Sequence, residues 1–229
     1  MIHSLNTDRN FLFTSEFSSQ PSKSLCFTGH REKSIPPYDN DPSYREMTYF
    51  ALRLILSRYT DIAIKSGYTD FFSGFAEGVD LWAASEVLNR RKSNNAIKLI
   101  GAVPFLRHAQ YFSEENIKLL QYVEKNADAV ITTCTDANAV FNNFAPQGDP
   151  SRQLYRDRNY FMVDNSSAVI AFVNENIKWS GTHQTVNYAL KKGIKVCRFG
   201  LKDVYALMEH SEFDVERMSE IVFHIGTKL

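Results

Sequence analysis

The chain has 229 residues, of which 44% are hydrophobic, so it is long enough to bury the core of one large domain. Lysine plus arginine and aspartate plus glutamate number 26 each. This balance gives no overall field that would attract nucleic acid or an anionic membrane, and we expect neither as a partner.

The cysteines and histidines give no sign of disulfides or of a metal site. Cys26, Cys134 and Cys197 are far apart and odd in number, which is typical of reduced thiols in the cytoplasm. No histidine stands at H-x-x-x-H spacing or pairs with a cysteine, so we expect no metal. The chain has no apolar stretch of membrane-spanning length. These features together predict a soluble, cytoplasmic protein.

The chain divides into a short leader and one domain. Residues 1–22 carry Ser, Asn, Thr and Pro with a few phenylalanines. We expect this leader to pack on the domain without joining its sheet. Residues 23–229 are expected to form a single domain whose last helices cover the sheet or an oligomer interface.

Apolar runs alternate with helical periodicity along this domain. The runs predict strands at 24–27, 68–73, 97–103, 129–133, 167–173 and 194–197. Helical spacing predicts helices at 47–58, 83–89, 108–126, 152–164, 183–192, 204–210 and 215–225. Such alternation predicts a Rossmann-like α/β fold, a doubly wound and mainly parallel sheet with helices on both faces.

A glycine turn at 71–80, F-F-S-G-F-A-E-G-V-D, joins the second strand to the second helix. Glycines let a ligand approach the backbone, and the first N–H groups of a helix attract anions. Gly74, Ala76 and Gly78 are therefore candidates to cradle a phosphate. The spacing G-x-x-x-G is neither the dinucleotide fingerprint nor a P-loop, so an ordinary strand-to-helix turn stays open as an alternative.

Other stretches place polar groups at the same predicted edge of the sheet. T-G-H-R at 28–31 ends the first strand, where Arg31 can grip a phosphate or carboxylate or can lie in a surface loop. The helix at 152–164 carries Arg152 and Arg156 on one face and Arg158 well round from both. The loop at 138–150 has the composition of a functional loop or lid.

The motifs T-G-H-R, S-G-F-A-E-G-V-D, P-F, R-N-Y-F-M-V-D and S-G-T-H-Q-T-V-N-Y-A occur in this order between residues 24 and 198. In this set the sequence resembles the YpsA-like branch of the SLOG superfamily. That superfamily is Rossmann-like and includes the DNA-processing protein DprA and the Lonely Guy phosphoribohydrolases. The resemblance implies a nucleotide or a nucleotide derivative as ligand, held at the carboxyl edge of the sheet, and by analogy a homodimer.

The resemblance also bears on catalysis. Lonely Guy enzymes use an Arg-Lys pair and a P-G-G-x-G-T-x-x-E motif, to which Arg158-Asn159 and residues 180–185 are similar here. Thr185 stands where the glutamate would lie, with Gln184 beside it, and neither can carry a carboxylate charge. The leading hypothesis is therefore a non-catalytic sensor of an ADP-ribose-like or NAD-like ligand.

The alternative is a nucleotide N-glycosidase (phosphoribohydrolase) or a nucleotide phosphate hydrolase. Its catalytic candidates are Glu77, Asp80 and Arg158. A third interpretation, binding of single-stranded DNA as in DprA, is opposed by the neutral net charge. No cofactor is expected to be required. The expected ligand-binding residues are Gly29, His30, Arg31, Ser73, Gly74, Phe75, Ala76, Glu77, Gly78, Asp80, Pro104, Arg158, Asn159, Ser180, Gly181, Thr182, Gln184 and Thr185.

Overall fold

A computed structural model describes residues 2–134 and 150–225 of the chain. The loop predicted at 138–150 therefore lies outside the described residues, apart from its last position. One sheet contains eight strands in the order β1-β2-β6-β5-β4-β3-β7-β8. The strands are β1 Ile2–His3, β2 Asn10–Phe13, β3 Ser24–Thr28, β4 Asp70–Ser73, β5 Lys98–Val103, β6 Ala129–Thr132, β7 Ala168–Val173 and β8 Lys195–Gly200.

The sheet is parallel except for the β1–β2 pair. From β3 the chain moves outward through β4, β5 and β6 on one side, and then returns to place β7 and β8 on the other. The strand order therefore reverses between β3 and β7, which is the topological switch point of a doubly wound sheet. The predicted Rossmann-like α/β fold is confirmed.

Helices cover both faces of this sheet. The described residues contain seven α-helices: α1 Arg45–Lys65, α2 Val79–Arg91, α3 Glu114–Asn126, α4 Pro150–Asp164, α5 Gly181–Lys191, α6 Leu201–His210 and α7 Val215–Phe223. Buried residues of α1, α2, α3, α6 and α7 pack in the core on one face. Those of α4 and α5 pack in the core on the other face.

Burial on both faces explains the near-continuous apolar runs that predicted the strands. Leu25 and Phe71 belong to the core under α1 and α2, whereas their chain neighbours Cys26 and Phe72 belong to the core under α4 and α5. Side chains of successive strand residues point to opposite faces, so each residue of these strands meets a helix layer.

The expectation that the leader stays outside the sheet was wrong. β2 extends the parallel sheet by pairing with β6, with Leu12 opposite Ile131, and β1 adds a short antiparallel strand. Phe11 is buried in the main core. The pairing of β2 with β6 joins residues more than a hundred positions apart, so the local composition of the leader carried little information about it.

The helix predicted from residue 108 begins later, at Glu114. Ser113 is its N-cap, and the Ser113 hydroxyl accepts a hydrogen bond at 3.2 Å from the N–H of Asn116. The residues before this cap form turns instead. A capping serine with two glutamates after it is a recognised helix start, and it outweighed the apolar periodicity upstream.

No helix within the described ranges is both long enough and apolar enough to cross a membrane.

Candidate functional site

A cavity of about 590 Å³ opens at the carboxyl edge of the sheet, at the switch point between β3 and β7. We call it the arginine pocket. Its walls come from the end of β3, the N-terminus of α2, residues 152–159 of α4 and the N-terminus of α5. It is lined by Thr28, Gly29, His30, Arg31, Ser34, Ala76, Asp80, Arg152, Tyr155, Arg156, Arg158, Asn159, Trp179, Ser180, Gly181, Thr182 and Gln184.

The structure brings many of the sequence-predicted site residues together in this pocket. Those that line it are Gly29, His30, Arg31, Ala76, Asp80, Arg158, Asn159, Ser180, Gly181, Thr182 and Gln184. Those that do not are Ser73, Gly74, Phe75, Glu77, Gly78, Pro104 and Thr185. Most of the second group belong to the turn between β4 and α2, which packs against pocket-lining residues such as Arg158.

Gly74 makes room for an arginine. A Cβ at this position would overlap the guanidinium of Arg158. Arg158 is buried, and its Nη1 donates hydrogen bonds to the carbonyls of Gly74 and, at 3.2 Å, Ala102. Its Nε donates to the Asn159 side chain at 2.8 Å. The glycine thus holds Arg158 in the pocket wall.

Asp80 is the acid that faces the pocket. It lies in the first turn of α2, it is buried, and its Oδ2 is 4.0 Å from Nη1 of Arg158. Burial raises the pKa of Asp80 to about 6, while Arg158, Arg31 and the backbone N–H groups of Ala76 and Gly29 act in the opposite direction. Asp80 is therefore mostly ionised at neutral pH but titrates close to it.

Glu77, the other predicted carboxylate, serves a neighbouring helix. Its Oε1 accepts a hydrogen bond at 3.0 Å from the backbone N–H of Ser113, the N-cap of α3. It is absent from the pocket lining. The structure thus separates two acids that lie three positions apart in the sequence.

The turn between β4 and α2 has an unusual backbone conformation. Gly78, the N-cap of α2, has φ +82°, and a Cβ there would lie 2.7 Å from the carbonyl oxygen of His30. Phe75 has φ 51° although it is fully buried. Bulky residues rarely adopt this left-handed region, and such backbone strain concentrates at functional sites.

His30 places an unpartnered nitrogen in the wall. It is only 5% exposed, and its Nε2 is buried without a hydrogen-bond partner among the described residues. Burial, with a smaller effect from the nearby His183, lowers the pKa of His30 to about 4. The imidazole is therefore neutral at pH 7. Its ring lies 6.1 Å from the ring of His183 on α5.

The N-terminus of α5 points its first turn at the pocket. Ser180 is the N-cap, and its Oγ accepts a hydrogen bond from the N–H of His183 at 3.2 Å and lies 2.9 Å from the ring Nδ1 of that residue. The first N–H groups of a helix have no intrahelical acceptor and carry partial positive charge. Gly181 and Thr182 line the cavity, and their backbone N–H groups are therefore available as donors to a ligand.

Sequence reasoning did not include several lining residues in the site, namely Thr28, Ser34, Arg152, Tyr155, Arg156 and Trp179. The Tyr155 ring lies under two arginines, 5.5 Å from the guanidinium of Arg31 and 5.9 Å from that of Arg158. Tyr155 stands three residues from both Arg152 and Arg158, so helical spacing could have grouped it with the arginines.

The balance of charge in the lining favours an anion. It contains four arginines, Arg31, Arg152, Arg156 and Arg158, and a single acid, Asp80. Arg156 is paired with Asp157 at 3.1 Å. The cavity is within the size range of pockets for small ligands. Among the described residues, no group of three or more His, Cys, Asp or Glu side chains is placed to hold a metal ion.

Fold and site together define a Rossmann-like α/β protein with an arginine-lined pocket at the switch point of its sheet. The model of the YpsA family, described as the YspA SLOG family, matches residues 25–197, and the chain belongs to this family. The resemblance seen in the sequence motifs is thereby confirmed.

Proteins from Bacillus are similar to this chain. A UPF0398 protein of Bacillus thuringiensis (strain Al Hakam) is 24% identical over 171 residues, which cover 75% of this chain and 84% of the relative. A UPF0398 protein of Bacillus cereus (strain AH187) has the same identity and coverage. A UPF0398 protein of Bacillus cereus (strain AH820) is 23% identical over 171 residues, with the same coverage of both chains.

Proposed function

We propose that the protein binds a nucleotide or a nucleotide derivative, with its phosphates in the arginine pocket, and acts as a sensor of that ligand. Membership of the SLOG family supports a nucleotide-related module. The observation that carries the proposal is the meeting of Arg31, Arg158 and the N-terminus of α5 in one cavity. Phosphates are bound by such combinations of guanidinium groups and helix N-termini.

Two groups in the pocket are suited to the rest of a nucleotide. Thr182 and Gln184 line the cavity beside the helix N-terminus, where hydroxyl and amide groups can bond a ribose. The unpartnered Nε2 of His30 offers a further polar contact, because the neutral ring can donate or accept according to its tautomer. A ligand that supplies this partner removes the cost of an unsatisfied buried group.

A thermal-shift panel with AMP, ADP, ADP-ribose, NAD and cyclic dinucleotides tests the proposal. A ligand at one hundred times its dissociation constant adds about 2.7 kcal/mol of stability, which corresponds to a rise in Tm of roughly 5 to 10 °C. Arg31→Ala is expected to weaken binding about tenfold or more. The control is Arg217→Ala on α7, which removes an exposed arginine paired with Glu212 at 2.9 Å. No shift with any nucleotide would contradict the proposal.

A second candidate function, hydrolysis of the N-glycosidic bond of a nucleotide, is favoured by the position of Asp80. Its carboxylate faces the pocket, and its raised pKa is typical of groups at catalytic sites. In such a reaction, water would replace the base on the ribose, and ionised Asp80 would stabilise the positive charge that develops there.

Chromatography of each nucleotide after incubation with the protein separates the two functions. A hydrolase would release base from a nucleotide, and Asp80→Asn would abolish the release while the ligand still raises Tm. A nucleotide that raises Tm of the parent protein but yields no product over a long incubation supports the sensor and rejects the hydrolase.

A further inference from the structure

A second cavity, of about 440 Å³, adjoins the arginine pocket, and we call it the side groove. Both cavities are lined by Trp179, Ser180 and Gln184, so they meet at the N-terminus of α5. The other residues that line the side groove are Tyr160, Lys178, His183, Asn187, Tyr188 and Lys191.

The side groove follows the length of α5. Gln184, Asn187, Tyr188 and Lys191 recur at helical spacing, so they share one face of this helix. At 1.5 Å per residue, the axis from Gly181 to Lys191 extends about 15 Å. A ligand whose phosphates lie at the start of α5 can therefore continue along the helix with a further part of its structure.

The side groove has flat aromatic surfaces. The rings of Tyr160 and Tyr188 stack at 3.7 Å between centroids with an interplanar angle of 9°. The Tyr188 hydroxyl donates to Asp164 at 2.9 Å, which fixes that side of the stack. Trp179, at the junction with the arginine pocket, is 92% exposed. Exposed aromatic rings beside cationic groups are the usual platforms for nucleobases.

Cationic groups accompany these rings. Lys178 and Lys191 line the groove, and in residues 2–134 and 150–225 neither side chain has an ion-pair partner. Asp164, the acid at the end of α4, is paired with Lys192 at 2.6 Å. Lys192 and Arg156 lie over the rings of Tyr188 and Tyr160, at 5.3 and 6.0 Å from the centroids. The groove therefore combines one exposed stacking surface, Trp179, with unpaired positive charge.

We propose that the side groove is a second subsite and that the ligand is a two-part molecule of dinucleotide type. The phosphates lie in the arginine pocket, and a second nucleoside stacks on Trp179 and continues along α5. This inference rests on the proposed nucleotide binding, because the groove extends that same site.

Calorimetry with ADP and with diadenosine diphosphate tests the subsite, since the second probe adds one adenosine to the first and carries less charge. The two-part probe is expected to bind about tenfold more tightly, because its second base can stack on Trp179. Trp179→Ala should weaken its binding about fivefold to a hundredfold and weaken ADP binding by a smaller factor, since Trp179 also lines the arginine pocket. Tyr111→Ala is the matched control, because this ring is 81% exposed and lines neither cavity.

Fluorescence gives a second measurement, since the chain has two tryptophans and Trp82 is buried. A base stacked on Trp179 should quench the exposed emission, and Trp179→Phe should remove that change while binding persists. Equal affinity for both probes would overturn the subsite and leave the proposed function intact. Failure of both probes and of the nucleotide panel would remove the proposed function as well. Tighter, strongly salt-dependent binding of an oligoadenylate would replace the dinucleotide by single-stranded nucleic acid.

Discussion

The guanidinium of Arg158 and the carboxylate of Asp80 lie 4.0 Å apart, Nη1 to Oδ2, and both side chains are buried in the wall of the arginine pocket. Two charges taken out of water are tolerated only when each compensates the other. Asp80 retains the burial-raised pKa of about 6 even beside Arg158, because this compensation is incomplete. The pair therefore couples the stability of the fold to the electrostatics of the site.

Removal of the cation from this pair should be strongly destabilising. Arg158→Met leaves Asp80 buried and unpaired, and we expect the free energy of unfolding to fall by about 3–5 kcal/mol. Urea denaturation measures the change. The double variant with Asp80→Leu should lose less than the sum of the two single variants, because neither charge then remains. Strict additivity would show that the two side chains do not interact.

The stability of the single variant Arg158→Met should depend on pH in a defined direction. The folded-state pKa of Asp80 is about 6, above its ordinary value of 3.8, so the folded state binds this proton more tightly than the unfolded state. The contribution of Asp80 to the free energy of unfolding is therefore fully present below about pH 4 and is lost as the pH rises through about 6. Without Arg158 the pKa of Asp80 should rise further, and Arg158→Met should regain more stability than the parent on acidification.

Much of the fold could be predicted from the sequence because its central strands are covered by helices on both faces. Such burial forces near-continuous apolar runs, as in 97–103 and 167–173, which differ from the helical periodicity between them. The leader could not be placed in this way. β2 is held by pairing with β6, and that contact has no local signature.

The site was predictable in position but only in part in its contacts. Motifs at strand ends marked the edge of the sheet where Arg31, Asp80 and the start of α5 meet. The roles within the glycine turn were not readable, since Gly74 accommodates Arg158 and Glu77 accepts the N–H of Ser113. Such packing depends on how the elements come together, which sequence spacing does not contain.

Gly78 should tolerate a methyl group less well than another glycine of positive φ. Gly78 has φ +82° and its Cβ would meet the His30 carbonyl oxygen at 2.7 Å, whereas Gly193 has φ +71° with no heavy atom within 4 Å. Both alanine variants carry strain from a positive φ, and at Gly78 the ψ of −127° adds to it, so the excess cost at Gly78 reports its backbone conformation and the clash together. We expect a larger loss for Gly78→Ala in urea unfolding. Equal losses would show that the turn between β4 and α2 shifts without cost.

The buried histidines should make the protein acid-labile. The pKa of His108 is lowered to about 3 and that of His30 to about 4, from an ordinary value of 6.5, and burial is the main cause in both cases. The unfolded state therefore takes up these protons first, and stability falls as the pH drops from about 6.5 towards 3. Asp80, with a pKa of about 6, acts in the opposite direction, as do Glu32 and Glu124, whose pKa values burial raises.

His108→Gln should flatten this loss of stability. Tm measured between pH 7 and pH 4 should fall less steeply in the variant than in the parent protein, because one of the two protons no longer binds on unfolding. His210→Gln, at the exposed end of α6, is the control and should leave the slope unchanged. An unchanged slope in His108→Gln would show that protonation of this residue does not contribute.

The N-terminal segment should contribute to stability through a buried acid. The Thr7 hydroxyl donates to Oε1 of Glu124 at 2.5 Å, and Glu124 is fully buried on α3. Thr7→Val removes the donor, and we expect a loss of about 1–3 kcal/mol, the cost of an unsatisfied buried group. Urea unfolding measures it. Adding Glu124→Leu should recover part of the loss, and no recovery would mean that the hydrogen bond is not its source.

The two acids of the glycine turn should affect ligand binding differently. Asp80 lines the arginine pocket, whereas Glu77 is bonded to the start of α3 and does not. Asp80→Asn removes a negative charge beside the proposed phosphate site, so we expect roughly three- to tenfold tighter binding of an anionic nucleotide at pH 8, or about 0.7–1.4 kcal/mol. At pH 5 the gain should shrink, because Asp80, with a pKa of about 6, is then largely protonated in the parent protein. Glu77→Gln is the matched control and should leave the affinity unchanged at both pH values in calorimetry. Equal effects of the two variants would contradict the separation of these acids by the fold.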